Sequence, residues 1–237
     1  MIIEFLFPEV ANLFGELGDM DYIKYIFLNA DYYFTQILEK PEFIQRDVDL
    51  VFIAPMPERI QEFAIERLIP YREEILKRID EGQAIIAIAN SMELFGEYIE
   101  NEDRSRIEGL NIFPFHSKRQ MLDRISSLFL GKKNDLFIVG SKAQFTQIYK
   151  DKKLPGFCEV IKGVGNTIGG KEDGIHYNNF IASYVLGPFL LSNPLFTEKW
   201  LKEVFPQEDI KMPFHNLAKR AYEKRLKDLQ DPKAVFC

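Results

Sequence analysis

Apolar residues in this chain come first as short unbroken runs separated by stretches of helical period. Later they form a closely spaced series of short runs. Residues 2–7 (IIEFLF) predict a first strand ended by Pro8, and residues 12–19 (NLFGELGD) a loop with two glycines. Residues 20–28 follow a helical period, with Asp19 or Asp21 placed to cap it. Strands are predicted over 31–37 and 48–53, the second apolar on both faces and therefore central and parallel. It stops at Ala54-Pro55-Met56-Pro57, where two prolines remove two backbone N–H groups. From 58 to 80 the period is helical again, with Pro70 marking a break.

The stretch 82–96 (GQAIIAIANSMELFG) organises the rest of the chain. Residues 84–89 form a buried strand, and after Asn90 and Ser91 a helix is predicted from Met92 to about Glu100. A strand running straight into a helix is the geometry of a nucleophile elbow, which pushes one side chain into a cleft. Its apex here is Ala89, which has no nucleophilic atom.

Residues 100–106 predict a surface loop, and 110–115, 125–130 and 136–139 short strands, with a turn over 131–135 (GKKND). Strands at 145–149 and 157–161 continue the series, so an antiparallel extension is expected beside the parallel half. Residues 163–174 are a glycine-rich loop without the GK[ST] of a phosphate loop, and 176–184 a further strand. Two helices close the pattern, 193–205 with the single Trp200 and 213–229 with a basic face. The simplest organisation is one α/β domain over 1–205 with a helical tail, 206–237, packed on it.

Composition narrows the class. With 46% apolar and 28% charged residues over 237 positions, the chain is long enough for one sizeable core. A net charge of −6 argues against nucleic acid and anionic membranes as partners. Two cysteines without CxxC spacing, the lack of a secretory signal and the lack of a membrane-length run point to a reduced, cytoplasmic setting. His116, His176 and His215 have no metal-ligand spacing, so neither a metal nor a cofactor is expected.

Four stretches, in order and spanning most of the chain, resemble the class I glutamine amidotransferase family. The branch is the one shared by cobyric acid synthase and the amidotransferase subunit of lipid II isoglutaminyl synthase. LFPEVANLFGELGD (6–19) is similar to the Y-P-x-x-x-N-x-Y-G-D-x-G-N opening, and DLVFIAPMPERIQE (49–62) to D-L-x-F-I-G-G-G-Q-D-x-E-Q. GQAIIAIANSMELFG resembles G-x-P-x-L-A-I-C-G-G-Y-Q-L-L-G. Residues 163–194 resemble G-Y-G-N-N, E-D-G and Y-x-N-x-x-G-T-Y-L-H-G-P-L-L-x-x-N-P. The resemblance implies a three-layer, flavodoxin-like α/β fold with a mostly parallel central sheet.

It also implies an activity, glutamine hydrolysis with ammonia passed to a synthetase partner, and a place for each catalytic part. The family cysteine falls on Ala89, its two glycines on Asn90 and Ser91, and its histidine on Leu186. The glycine turn that holds the oxyanion falls on Ala54, Pro55 and Met56, where a donor N–H is lost to proline. Nucleophile, base and oxyanion support are therefore missing together.

Substitutes are few. Ser91 reads more simply as a helix N-cap, Cys158 as a buried thiol, and His176 as part of the loop-to-strand motif. Glu172 and Asp173 read as loop-end or helix-dipole groups rather than an acid/base pair. The basic stretch 219–228 reads as a solvated face with a Glu223–Lys227 pair, or alternatively as a docking helix. The expected function is that of a silent amidotransferase-like subunit of an ATP-dependent, Mur-ligase-like amide ligase. The alternatives are a hydrolase with a relocated site using Ser91, Cys158 or a histidine, and a sensor holding a small amino-acid-like ligand in the emptied cleft.

Overall fold

The computed structural model describes residues 1–236; Cys237 lies outside the described residues. The strands that are apolar on both faces, β3 (Leu50–Ile53) and β4 (Ala84–Ile88), pair in parallel at the centre of a six-stranded sheet, where every residue of both is buried. Beyond β3 lie β1 (Ile2–Leu6) and then the edge strand β2 (Asp31–Thr35), both parallel. On the other side, β14 (Phe180–Ser183) pairs in parallel with β4, and β13 (Ile175–Tyr177) closes the sheet antiparallel. The fold class is α/β with a mostly parallel central sheet, as the sequence pattern implies.

The helices follow from chirality. The connection from β1 to β2 carries α1 (Leu17–Ile26), and that from β3 to β4 carries α3 (Glu58–Leu68) and α4 (Arg72–Asp80). These two crossovers step along the sheet in opposite directions, so right-handed connections put α1 on one face and α3 with α4 on the other. Pro70 sits in a 3₁₀ turn, Ile69–Tyr71, at the predicted break. A short α2 (Glu42–Gln45) follows β2, and α5 (Phe189–Ser192), α6 (Pro194–Val204) and α7 (His215–Gln230) end the chain.

Of the later strands only β13 extends the central sheet antiparallel. The others, β14 aside, form two separate four-stranded sheets, one in the order β10 (Thr146–Lys150), β7 (Phe115–Arg119), β5 (Tyr98–Glu100), β6 (Arg106–Glu108). The other runs β12 (Glu172–Asp173), β11 (Cys158–Lys162), β8 (Ile125–Lys133), β9 (Leu136–Gln144). Neighbours in these two sheets are antiparallel except for the parallel β5–β7 pair. The β8–β9 turn is confined to Asn134-Asp135, with Asn134 left-handed at φ 54°, because Gly131 to Lys133 continue the strand. The expected strand 176–184 is a hairpin instead, turning at a left-handed Asn178 (φ 49°).

The helix expected over 92–100 is absent. Ala89–Phe95 is 3₁₀, and the chain then enters β5. The reason is Gly96: a Cβ there would lie 2.5 Å from the Phe115 ring, so the glycine admits β7 at the point where a helix would have run on. The carbonyls left free at the end of the 3₁₀ segment accept N–H groups of Leu110 and Phe113, each at 2.9 Å. That pairing makes 110–114 a bonded loop rather than the predicted strand.

The tail helix α7 lies on the β8–β9 hairpin, with Tyr222 and Leu229 packed against Leu130 and Val139 and Tyr222 Oη donating to Phe137 O at 3.0 Å. Glu223 and Lys227 form no ion pair among the described residues. No described helix is long and apolar enough to cross a membrane.

Candidate functional site

The carboxyl ends of β3 and β4 meet at Ala54 and Ala89, where doubly wound sheets place their sites. Ala89 is left-handed, φ 53°, at the strand-to-3₁₀ junction. An L-residue pays about 1–2 kcal/mol for that conformation, so the junction holds a left-handed backbone under a methyl group. Ala87→Gly and Ala89→Gly therefore separate by about 1–2 kcal/mol in chemical denaturation: both delete one buried methyl, but only the second relieves a left-handed backbone.

The turn after β3 is tied shut. Asn90 Oδ1 accepts the Met56 N–H at 3.1 Å, and Asn90 Nδ2 donates to Met56 O at 2.6 Å. The Met56 amide is thus engaged by a side chain where the family pattern has glycine. Ala54, Pro55 and Met56 are all buried. Ser91 is not the N-cap that the sequence suggests. Its Oγ lies 2.8 Å from Ile88 O and 3.0 Å from Ile53 O, so the hydroxyl donates to carbonyls and ties β4 to β3.

Leu186 is buried and bonded on both sides of its peptide. It forms an isolated bridge with Ser141 of β9, with N–H···O distances of 2.8 and 3.2 Å. Gly140 makes this approach possible, since a Cβ there would meet Val185 Cγ1 at 2.3 Å. Asn193 holds the same strand from α6, accepting from Val139 N at 2.8 Å and donating to Val139 O at 3.0 Å. The hairpin is therefore tied to the loop after β14 and to the start of α6.

Asp19 does not cap α1. With Glu16 it lies buried and accepts the N–H groups of Gly187, Phe189, Leu190 and Leu191, fixing the loop after Leu186. Burial holds both carboxyls above their ordinary values, and each adjoins the other.

Behind Ala89 lies a polar network absent from the sequence reading. Glu93 accepts from Thr146 Oγ1 at 2.5 Å and from Tyr184 Oη. Arg119 donates to Gln61 Oε1 at 2.7 Å and Glu62 Oε1 at 2.8 Å, and Gln61 Nε2 donates to Asn90 O at 2.6 Å. Glu93 Oε2, Arg119 Nε, Ser117 Oγ and Gln144 Oε1 are buried without a hydrogen-bond partner among the described residues. Burial raises the Glu93 carboxyl above its ordinary 4.5, against the hydrogen bonds from Thr146 and Tyr184. A carboxyl whose pKa is higher folded than unfolded contributes stability that is complete below about 4.5 and is lost as pH climbs through the folded value. Thermal midpoints of the wild type should thus fall from pH 5 to pH 8, and Glu93→Gln should flatten that slope. Glu4, Glu16 and Asp19, raised in the same direction by burial, leave a residual slope in the variant.

The remaining candidates do not converge. The Cys158 thiol is buried and pushed well above its ordinary value by burial, which keeps it neutral and unreactive. His176 Nδ1 lies 2.8 Å from Lys133 Nζ, and burial followed by that cation depresses the imidazole. No hydrogen bond links Ser91, Cys158 and His176 among the described residues. Asp173 is no loop-end group: it is fully buried in an ion pair with Lys142 and accepts from Ser183 Oγ at 2.5 Å, while Glu172 pairs with Lys150 at 2.7 Å.

A sequence profile of the CobB/CobQ-like glutamine amidotransferase domain matches residues 5–194. The chain belongs to that family. Among its relatives is the lipid II isoglutaminyl synthase (glutamine-hydrolyzing) subunit GatD of Staphylococcus aureus strain N315. The two are 25% identical over 164 residues, 69% of this chain and 67% of the relative. The subunit GatD of Streptococcus pneumoniae strain ATCC BAA-255 / R6 is 24% identical over 196 residues, 81% and 75% of the two chains. A crystal structure of glutamine amidotransferase shares the fold with a TM-score of 0.54 at 11% identity, covering 85% of this chain and 98% of that one.

Proposed function

We propose that this family member is a non-catalytic subunit, retained to bind and regulate an ATP-dependent, Mur-ligase-like amide ligase without supplying ammonia. The observation that carries the reading is the pairing of Asn90 with both polar groups of Met56, beside an apex residue that ends in a methyl group. Glutaminase chemistry needs a nucleophile, a base and donors aimed at the developing oxyanion. Ala89 and Leu186 lack the first two, and the third is spoken for. A synthase partner is supported by the printed names of both relatives, each a subunit of a glutamine-hydrolysing lipid II isoglutaminyl synthase, and its ATP-dependent, Mur-ligase-like character is what the family resemblance implies.

The expected result is that purified protein releases no ammonia from glutamine above the buffer rate, and that it co-purifies from its native source with an ATP-dependent ligase. Ala89→Cys combined with Leu186→His should remain inactive, because Pro55 and the Asn90-bound Met56 amide still withhold oxyanion donors. Ammonia release by that double variant removes the oxyanion argument. Turnover by the wild type, lost on Ser91→Ala or Cys158→Ala, replaces the reading with a relocated active site.

A second reading draws on three buried atoms without a partner among the described residues, Glu93 Oε2, Arg119 Nε and Gln144 Oε1, which are an acceptor, a donor and an acceptor for a small amino-acid-like ligand. Thermal shift against an amino-acid panel tests it, since a ligand selective for the folded state raises the midpoint with concentration. A flat response across the panel leaves the scaffold reading alone.

A further inference from the structure

Immediately after Leu186 the chain opens onto a groove of about 620 Å³ between α5 and α7. Its floor is apolar: Pro188 and Leu191 on one side, Leu217, Ala218 and Ala221 on the other. Phe214 stands at its head, 61% exposed, and Leu217 beside it is 67% exposed. Both values are high for side chains of this size on a folded surface, and a contiguous apolar surface of this kind marks an interaction site. Phe214 is also held left-handed, φ 53°, with no side-chain cap on the helix it begins. A bulky residue in that region carries backbone strain, and such strain gathers at binding sites. Tyr25 of α1 extends the patch, stacking edge-on against Phe214 at 5.6 Å.

Charge gives the groove a direction. Leu217, Ala221, Lys224 and Asp228 fall at helical spacing along the face of α7 that lines it. The first half of that stripe is apolar, and the second carries Lys224, Arg225 and Asp228, none of which forms an ion pair among the described residues. On a chain with net charge −6, two cations against the one carboxylate of Asp228 leave that end of the apolar groove net positive, which favours a partner segment of opposite charge.

We propose that this groove receives an amphipathic helix of the ligase partner, its apolar residues over Pro188, Leu191 and Leu217 and its carboxylates over Lys224 and Arg225. This is the helix-in-groove mode, in which anchors recur at i, i+4 and i+7. The inference rests on the reading of the chain as a binding subunit, and it places the contact next to the position that a base occupies in the family pattern.

The probe is a fluorescein-labelled synthetic helix of about 18 residues, with leucines at i, i+4, i+7 and i+11 and glutamates at one end. Fluorescence anisotropy is measured against the full chain, with a scrambled peptide and a lysine-ended peptide as controls. Binding of the glutamate-ended peptide should exceed both controls by about tenfold and weaken with salt. Leu217→Asp should abolish it. Lys224→Glu with Arg225→Glu should reverse the preference toward the lysine-ended peptide, a gain that misfolding cannot imitate. Because these side chains project from the surface, thermal midpoints should stay within about 3 °C of wild type. Equal binding of all three peptides, or an unchanged affinity in Leu217→Asp, overturns the proposal. So does a concentration-dependent dimer that Leu217→Asp dissociates, which assigns the groove to a second copy of the chain. Co-purification separates this inference from the one beneath it. If the wild type brings down no ligase, the subunit reading fails; if Leu217→Asp brings it down as well as wild type, only the groove does.

Discussion

Lys142→Met should lower the unfolding free energy by about 3–5 kcal/mol, the range for removing one partner of a buried ion pair. Lys142 and Asp173 are both completely buried side chains, and the ammonium also donates to Gly165 O at 2.9 Å. Methionine fills the same volume beside the Phe129 ring, 5.0 Å from the present ammonium, so packing is little changed. What is lost is the countercharge of a carboxylate with no water around it, and the partner of the Gly165 carbonyl. Removing both charges, as Lys142→Met with Asp173→Leu, should recover much of the loss, because two apolar groups need no partner. Chemical denaturation of the three proteins checks this. A single-variant loss under about 1 kcal/mol shows that the pair is solvated and adds little.

Gly174→Ala should be of similar size or larger, about 4 kcal/mol or more. The residue is left-handed, φ 67°, and a Cβ would sit 2.0 Å from Ala182 O and 2.8 Å from Phe157 Cβ. Relief requires that β13 part from β14, which leads directly to Leu186. Asn166 grips the same peptide, accepting from Gly174 N at 2.7 Å and donating to Gly174 O at 3.2 Å. Gly169 is the matched control. It is also left-handed, φ 74°, but nothing lies within 4 Å of its Cβ position, so Gly169→Ala should lose only about 1 kcal/mol of conformational strain. Equal losses at the two positions show that backbone conformation, and not contact, sets the effect.

The parallel half of the fold was legible because its strands are apolar on both faces and its breaks fall at prolines. Val51 to Ile53, Ala84 to Ile88 and Pro70 each state their place by composition alone. The elements misread were those decided by distant contacts. The run from Met92 has a helical apolar pattern, yet Gly96 yields to Phe115, nineteen positions on, and no local signal announces that approach. The apex at Ala89 was read from the run of a strand into a helical pattern, and the turn at Pro55 and the position of Leu186 from the family pattern; the structure joins Asn90, after the first, to Met56, after the second, and buries Leu186 in a bridge to Ser141. The network around Glu93 and Arg119 was missed because charged residues carry no mark of burial in a single sequence. A partial signal existed for Lys142. The alternation of Ile138, Gly140, Lys142 and Gln144 along β9 puts the lysine on the inward face.

The two hydrogen bonds between Ser141 and Leu186 turn the hairpin into a latch whose opening can be timed. Their amide protons exchange with deuterium only when β9 lifts away from the strand-end loop. Isotope exchange at those two backbone positions therefore reports how often β9 parts from the loop that follows β14.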